Sequence, residues 1–497
     1  MSVYNFESPS RQSAKGIIVI FGVTAFKVIK SLVIVFVFLL FKYIQSGKYQ
    51  NFMNTKFVLI VFGLVLLFLT VAVLKYLNFK FHVKEGYFFL KRGILNKEEI
   101  SVSTSKIQNV YIKQNLLQQL INVVSLSIES AGDDNTEIEI SALERHKAEA
   151  LKSLLMQSAK AENDEIEDKR GDLVYYKASV KKLLLEGVSE NHFKSFVLIF
   201  AFIMGIYNDV KQFLDQLDLT EVFGPWFKLD DESLMGILLF NVSIVIVLLV
   251  LSFFLSLIRM FVKNYNLTVK RNADGLEISK GLFNKINLSL SSSRIQNTTV
   301  YTNKLKQVFG LYKLAFTQAM ANKKQQLNFN IVGLGKHQIS DLLQQFYPNV
   351  EERLIKNKPH KYLLHRVLFF SAIIIVLINV GLYFAPKSFL VINVPLLIYV
   401  VANAIYTYRK SYYHLDSDYI VVGGGRLVDT TTSFLEIKKV QAVTLKQTIF
   451  QKNKGLASIV VYSASKPLTI PHIHLTTAFT IKDYLLFKVE SENKDWM

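Results

Sequence analysis

The sequence predicts an α+β membrane protein with six transmembrane α-helices in three pairs, each pair followed by a small β domain that closes with a helix. Three observations predict it. Apolar residues are bunched into long runs, the polar tracts between the runs alternate as strands do, and one local pattern recurs in three places.

The recurring pattern is Lys106-Ile107-Gln108, Arg294-Ile295-Gln296 and Lys439-Val440-Gln441. Ten residues after the branched residue comes a bulky apolar one (Leu117, Leu305, Phe450), and fifteen after it a turn former (Asn122, Gly310, Gly455). Upstream, Gly93 and Gly281 precede the branched residue by fourteen positions, and Gly425 precedes it by fifteen. A repeated unit sets the domain count, and 497 residues suit three domains of roughly 150 residues each.

Composition agrees with a membrane class. The chain is 51% hydrophobic with a mean hydropathy of +0.28, high for a soluble protein. The net charge of +19 is read most economically as basic cytoplasmic loops. Nucleic acid is set aside because base-stacking aromatics do not cluster with the lysines. With no cysteine in the chain, disulfides, thiol nucleophiles and Cys-ligated metal sites are excluded.

The expected spans run from Ser31 to Ile44 and Phe57 to Leu77, Phe196 to Tyr207 and Leu234 to Phe261, then Leu363 to Ala385 and Phe389 to Tyr408. The third is short for a bilayer unless it begins near Asn191 or tilts. The basic, apolar N-terminus lacks a small-residue cleavage site and is read as retained, with Gly16 to Lys30 as an interfacial amphipathic helix. The acidic connection from Asp209 to Glu232 contrasts with Lys75, Lys80, Arg259, Lys263, Lys361, Arg366, Arg409 and Lys410 at the other span ends. That bias places all three β domains on the cytoplasmic side of a multi-pass membrane protein.

The expected division is 1–78 for the N-terminal segment and first pair, 79–160 for the first β domain, and 161–190 for a linker. Then come 191–262 for the second pair, 263–350 for the second β domain, 351–411 for a linker and the third pair, and 412–497 for the third β domain. In the second domain, Tyr265 to Val269 alternates as a half-buried strand, Ala273-Asp274-Gly275 signals a hairpin, and Gly281 turns the chain again. From Lys336 the spacing becomes helical, with Ile339, Leu342, Leu343 and Phe346 on one face. Tyr175 to Val188 is amphipathic, suited to a leaflet surface or to a neighbouring domain.

Strands closed by one helix, carrying this triple motif and attached to paired spans, resemble the bacterial pleckstrin-homology-like membrane proteins of the YdbS and YdbT type. The length and three-domain layout are similar to the longer, YdbT-like members. The resemblance covers nearly the whole chain. It implies PH-like β-sandwich or barrel domains with a C-terminal helix and a place in the cell envelope, but no established chemistry. This chain departs from a uniform repeat at Asn122 and by one inserted residue after Gly425.

No catalytic, metal or cofactor site is expected. Gln108, Gln296 and Gln441 are read as amides that satisfy backbone groups where a strand bends, and Gly93, Gly281 and Gly425 as structural members of the motif. His472 and His474 would share a strand face, but no third metal ligand is near in sequence. Asp416 and Asp418 lack the rest of a calcium loop. Lys263, Lys270, Arg271, Lys280 and Lys285 are candidate contacts for anionic lipid. Asn241, Asn379, Asn393 and Asn403 fit helix packing. The function expected is a non-enzymatic scaffold or interaction platform in an envelope complex. Its partners would be membrane lipids and a family member or a second copy. The alternative is a transporter or conduit for a lipid or peptide, its groove lined by those asparagines.

Overall fold

The computed structural model describes residues 4–26, 55–130, 137–158, 173–192, 195–203, 205, 234–272, 275–318, 329–350, 352–382 and 393–491. In chain order the elements begin with α1 (Gly16–Phe26) and α2 (Thr55–Leu77). The first repeat holds β1 (Lys80–Lys84), β2 (Tyr87–Arg92), β3 (Glu98–Ser103), β4 (Ile107–Gln114), α3 (Leu116–Leu120), β5 (Val124–Ser130), β6 (Glu137–Leu143) and α4 (Arg145–Ser158). Next come β7 (Leu173–Lys177), α5 (Val180–Val188) and α6 (Leu234–Asn264). The second repeat holds β8 (Thr268–Asn272), β9 (Gly275–Lys280), β10 (Lys285–Ser291), β11 (Ile295–Asn303), α7 (Lys304–Val308), β12 (Tyr312–Gln318), β13 (Asn330–Leu334) and α8 (Lys336–Phe346). After α9 (Tyr362–Leu382) and α10 (Asn393–Lys410), the third holds β14 (Tyr412–Leu415), β15 (Tyr419–Gly425), β16 (Asp429–Glu436), β17 (Ala442–Lys446), α11 (Ile449–Lys452), β18 (Leu456–Tyr462), β19 (Leu468–His474) and α12 (Leu475–Ser491).

These elements form two compact units, and the second repeat contributes strands to both. One unit comprises Met1–Tyr176, Thr268–Ile295 and Thr317–Phe329; the other comprises Lys177–Leu267, Gln296–Phe316 and Asn330–Met497.

In the first unit, a three-stranded sheet β1-β2-β3 accompanies a seven-stranded sheet of order β6-β5-β4-β10-β9-β8-β7. Alternation in the sequence drives this: Phe81, Phe88, Leu90, Val110, Ile128 and Ile140 face inward and are fully buried. Leu151 and Leu155, one turn apart on α4, close that core, each burial contributing about 1.5–3 kcal/mol. The outer edge of β1 is covered from upstream, since Ser10 and Phe81 exchange backbone hydrogen bonds at 2.8 and 2.9 Å. Three residues on, the Ser13 amide donates to the Ala142 carbonyl of β6 at 2.8 Å. The segment before α1 is therefore part of the first β domain.

The second unit contains a six-stranded sheet of order β13-β12-β11-β16-β15-β14 and a three-stranded sheet β17-β18-β19. The same upstream device recurs: Asn357 exchanges backbone bonds with Tyr413, and the His360 amide donates to the His472 carbonyl. Helix α8 buries the predicted stripe of Ile339, Leu342, Leu343 and Phe346, and α12 buries Ala478, Ile481 and Leu485.

Six transmembrane helices in three pairs are not what the structure supports. Among the described residues, two helices are long and apolar enough to cross a bilayer, Val242–Asn264 and Tyr362–Val380, and only 17% and 6% of their most apolar windows are buried. Gly16–Phe26 and Phe62–Leu77 are shorter apolar helices. Helix α10 is too polar: it carries Asn403, Thr407 and three tyrosines, and Asn403 Oδ1 accepts from the Leu427 amide of the third β domain at 3.1 Å. The expected span from Ser31 to Ile44, the acidic connection and the turn after Ala385 lie outside the described residues, whereas residues 196–203 and 205 of the expected Phe196 to Tyr207 span are described and helical.

The amphipathic stretch from Tyr175 is two elements. Ser179 caps α5 by accepting from the Lys182 amide, and Leu183 is buried. At Gly187 an added Cβ would lie 3.3 Å from Leu257 Cα, so α5 packs closely on α6.

Candidate functional site

Repeats join by strand pairing at two junctions, one inside each unit. At the first, β4 pairs antiparallel with β10, setting Gln114 opposite Lys285 and Ile112 opposite Asn287. At the second, β11 pairs antiparallel with β16, setting Thr302 opposite Thr430 and Val300 opposite Thr432. Counted from the branched residue of each motif, the registers are identical. The residue seven after it faces the residue ten before the branched residue of the next repeat. The third sheet strand of one repeat thus continues the second sheet of the repeat before it. The motif arginine ties the first junction as well, since Arg294 Nη2 donates to the Ile107 carbonyl at 3.3 Å.

The motif glycines make the hairpins that aim these strands. Gly93, Gly281 and Gly425 have φ of 108°, 111° and 154°. A Cβ on them would lie 1.9, 2.0 and 2.2 Å from the carbonyl oxygens of Asn96, Asn284 and Asp429, which no side chain survives unmoved. The inserted residue of the third repeat is accommodated in that turn, whose carbonyl comes from the fourth residue on and not the third. Asn122 departs from glycine in name only: its φ of 56° matches 65° at Gly310 and 61° at Gly455, a conformation asparagine tolerates.

Between these markers each repeat has a short helix, α3, α7 or α11, whose N-cap side chain (Asn115, Asn303, Thr448) accepts from the third residue on. That third residue is buried and polar in all three repeats: Gln118, Lys306 and Gln451. Gln118 Nε2 donates to Ser125 Oγ at 2.6 Å and to the Ser141 carbonyl at 2.7 Å. Gln451 Nε2 donates to Ser458 Oγ at 2.9 Å. The middle repeat substitutes a charge. Lys306 Nζ donates to Glu186 Oε1 and, at 3.1 Å, to Glu190 Oε1, while Asn303 Nδ2 donates to the Ser189 carbonyl at 2.6 Å.

This ion cluster joins the second repeat to the segment before α6. Burial pushes the Glu186 carboxyl upward against the pull of Lys306. Burial also acts on Glu190, but Lys306 and Lys313 outweigh it and hold that carboxyl below its ordinary range. Burial would lower Lys306, yet the two glutamates outweigh it and keep the ammonium charged. Sequence periodicity gives no hint of this cluster. Aligning the repeats does, since only the middle one departs from glutamine.

The other expected site residues are scattered. Lys270, Arg271, Lys280 and Lys285 lie in one unit and Lys263 in the other. Lys280 is 5% exposed and unsuited to a headgroup, and Arg271 stands over the Tyr175 ring at 5.5 Å. Gln296 is fully buried and neither atom of its amide has a hydrogen-bond partner among the described residues. Gln441 is exposed, and the Gln108 side chain lies outside the described residues. His472 and His474 do not share a face: His472, with φ of 49°, is buried and His474 is exposed. The guanidinium of Arg366 can only donate, so His472 Nε2 accepts from it at 3.1 Å. Asp416 Oδ1 accepts from the amides of Asp418 and Tyr419 at 2.7 and 2.8 Å, which shapes a hairpin rim. Asn379 and Asn393 bond each other reciprocally at 2.8 and 2.7 Å, so these amides are spent on packing α9 against α10.

Comparison with known proteins agrees with the repeat architecture. A family model described as bacterial PH domain matches residues 19–159, 225–349 and 367–488, each stretch holding one copy of the motif. The chain is similar to the UPF0699 transmembrane protein YdbT of Bacillus subtilis (strain 168), 22% identical over 423 residues that cover 80% of this chain and 83% of the relative. No solved structure matches the chain.

Proposed function

Because the chain belongs to the bacterial PH domain family, we propose that it is a non-enzymatic membrane scaffold, presenting its three PH-like domains at the cytoplasmic face of the bacterial plasma membrane. The observation that carries this reading is the strand-to-strand joining of successive repeats in one register. Within each unit a shared sheet ties strands of two successive repeats together, which suits a surface for a partner in an envelope complex.

Membrane lipid is the second partner. The exposed Lys263 and Lys285 and the half-buried Lys270 and Arg271 attract an anionic leaflet at about 1 kcal/mol per basic residue near the surface. The attraction is electrostatic and weakly selective.

The test is affinity purification of the tagged protein in mild detergent, with mass spectrometry of co-purifying proteins and lipids. A stoichiometric membrane protein supports the scaffold. A single enriched lipid or peptide with no protein partner overturns it in favour of a conduit.

A further inference from the structure

Each internal junction joins the fourth strand of one repeat to the third strand of the next. Two strands occupy the same positions at the ends of the series and remain unjoined. β3 corresponds to β10 and β16, and β17 corresponds to β4 and β11. Each is the outermost strand of a three-stranded sheet, and among the described residues no strand or bridge lies on its outer edge. Their side chains are correspondingly open, with Glu98, Glu99 and Ser101 exposed on β3, and Ala442, Thr444 and Lys446 on β17. An unprotected edge is a template for another strand, and upstream segments cover β1 and β14 while, among the described residues, no strand or bridge covers these two.

We propose that β17 of one copy pairs antiparallel with β3 of a second copy, in the register of the internal junctions, so that copies assemble head to tail. The proposal rests on the scaffold reading above and names the partner as another copy of this chain. Transferring the register sets Lys446 opposite Glu98, a pair of opposite charge, and Leu445 opposite Glu99. The faces transfer too. Val443 and Leu445 pack on the core of their own domain as Val110 and Ile112 do on theirs. Leu445 then meets the outward Glu99 as Ile112 meets Asn287. Such a joint uses different surfaces on the two copies, so it propagates into a ring or an open chain and not a two-fold dimer.

The absence of cysteine from the sequence makes the joint directly testable. Lys446→Cys and Glu98→Cys are placed in separate, differently tagged full-length copies, and membranes from cells expressing both are oxidised. The expected result is a reducible band carrying both tags, at least tenfold stronger than with Lys446→Cys and Glu99→Cys, which are out of register. A chain carrying both cysteines gives a ladder of dimers and higher multimers. No band with both tags, bands only between identical variants, or an internal bond without a ladder each overturns the proposal.

Charge exchange guards against misfolded cysteine variants. Lys446→Glu is expected to abolish multimers in light scattering of the detergent-solubilised protein, and adding Glu98→Lys to the same chain restores them. Loss without restoration sinks the pairing. If purification yields a stoichiometric foreign membrane protein while the cysteines never bridge copies, the head-to-tail joint fails and the scaffold survives.

Discussion

The Tyr347 hydroxyl donates to Thr298 Oγ1 at 2.9 Å, and both groups are buried. Tyr347 directly follows α8 of the second repeat, and Thr298 stands opposite Phe434 of the third in the β11–β16 pairing. The Tyr347 ring also packs on Tyr419 and Phe434, with centroids 5.6 Å apart in each case. The closing helix of one repeat thereby clamps the junction with the next. Burial pushes the phenol far above its ordinary pKa, so it stays a donor in mild alkali.

Tyr347→Phe keeps the ring and removes the donor. The expected loss is about 1–3 kcal/mol, the usual cost of orphaning a buried polar partner. Tyr412→Phe, which removes a half-buried bond to Thr432 at 3.2 Å, costs less. Thermal unfolding of the two detergent-solubilised variants decides it, and equal losses would argue against a clamp.

Lys306 gives a second prediction through its repeat partners. Glutamine is native at the equivalent Gln118 and Gln451, so Lys306→Gln is sterically mild. It nevertheless strands Glu186, whose side chain is fully buried, and breaking a buried pair on one side costs about 3–5 kcal/mol. Adding Glu186→Gln recovers most of that loss. A double-mutant cycle on unfolding midpoints measures the coupling, and additive single losses would mean that the cluster is not a unit.

The pH dependence follows from His472. Burial, then the nearby Arg366, lowers its pKa from 6.5 to about 4. A histidine depressed in the fold contributes stability that is complete above 6.5 and is lost as pH falls toward the folded value, because the unfolded chain binds the proton first. At 1.36 kcal/mol per unit the loss between pH 7 and pH 4 approaches roughly 3 kcal/mol. His472→Gln is expected to flatten the unfolding midpoint across that range relative to the parent. An unchanged slope would show that other groups set the acid limit.

Much of the repeat plan was legible because it rests on local chemistry. Positive-φ glycines, side-chain caps and alternating strands leave marks within a few residues of one another. The junctions left none, since a strand that pairs with its neighbour in another repeat has the same alternation as one that does not. The upstream edge segments were missed for a related reason: Ser10 and Phe81 are separated by α1, α2 and the stretch between them, so the first β domain is interrupted in sequence. The spans were over-read because runs such as that in α10 look apolar by count, yet Asn403 accepts from the Leu427 amide of the third β domain and the Tyr406 hydroxyl accepts from Lys304 of the second repeat.

The last prediction concerns the turns that hold the junction strands in register. Gly281 lies between β9 and β10, and β10 is the strand that joins the first repeat. Alanine there must either keep φ at 111°, which an L side chain resists, or push its Cβ off the Asn284 carbonyl 2.0 Å away. Both distort the start of β10 at Lys285, the residue facing Gln114. Gly281→Ala is therefore expected to destabilise by more than about 1 kcal/mol, beyond the range in which glycine replacement helps. Gly63→Ala is the internal control, since it lies in α2 with nothing within 4 Å of its added Cβ, and alanine is the better helix former by about 1 kcal/mol. Hydrogen exchange of the Ile112 and Asn287 amides reads the junction directly: faster exchange in Gly281→Ala but not in Gly63→Ala is expected. Unchanged protection would mean that the register is set by the strands and not by the turn.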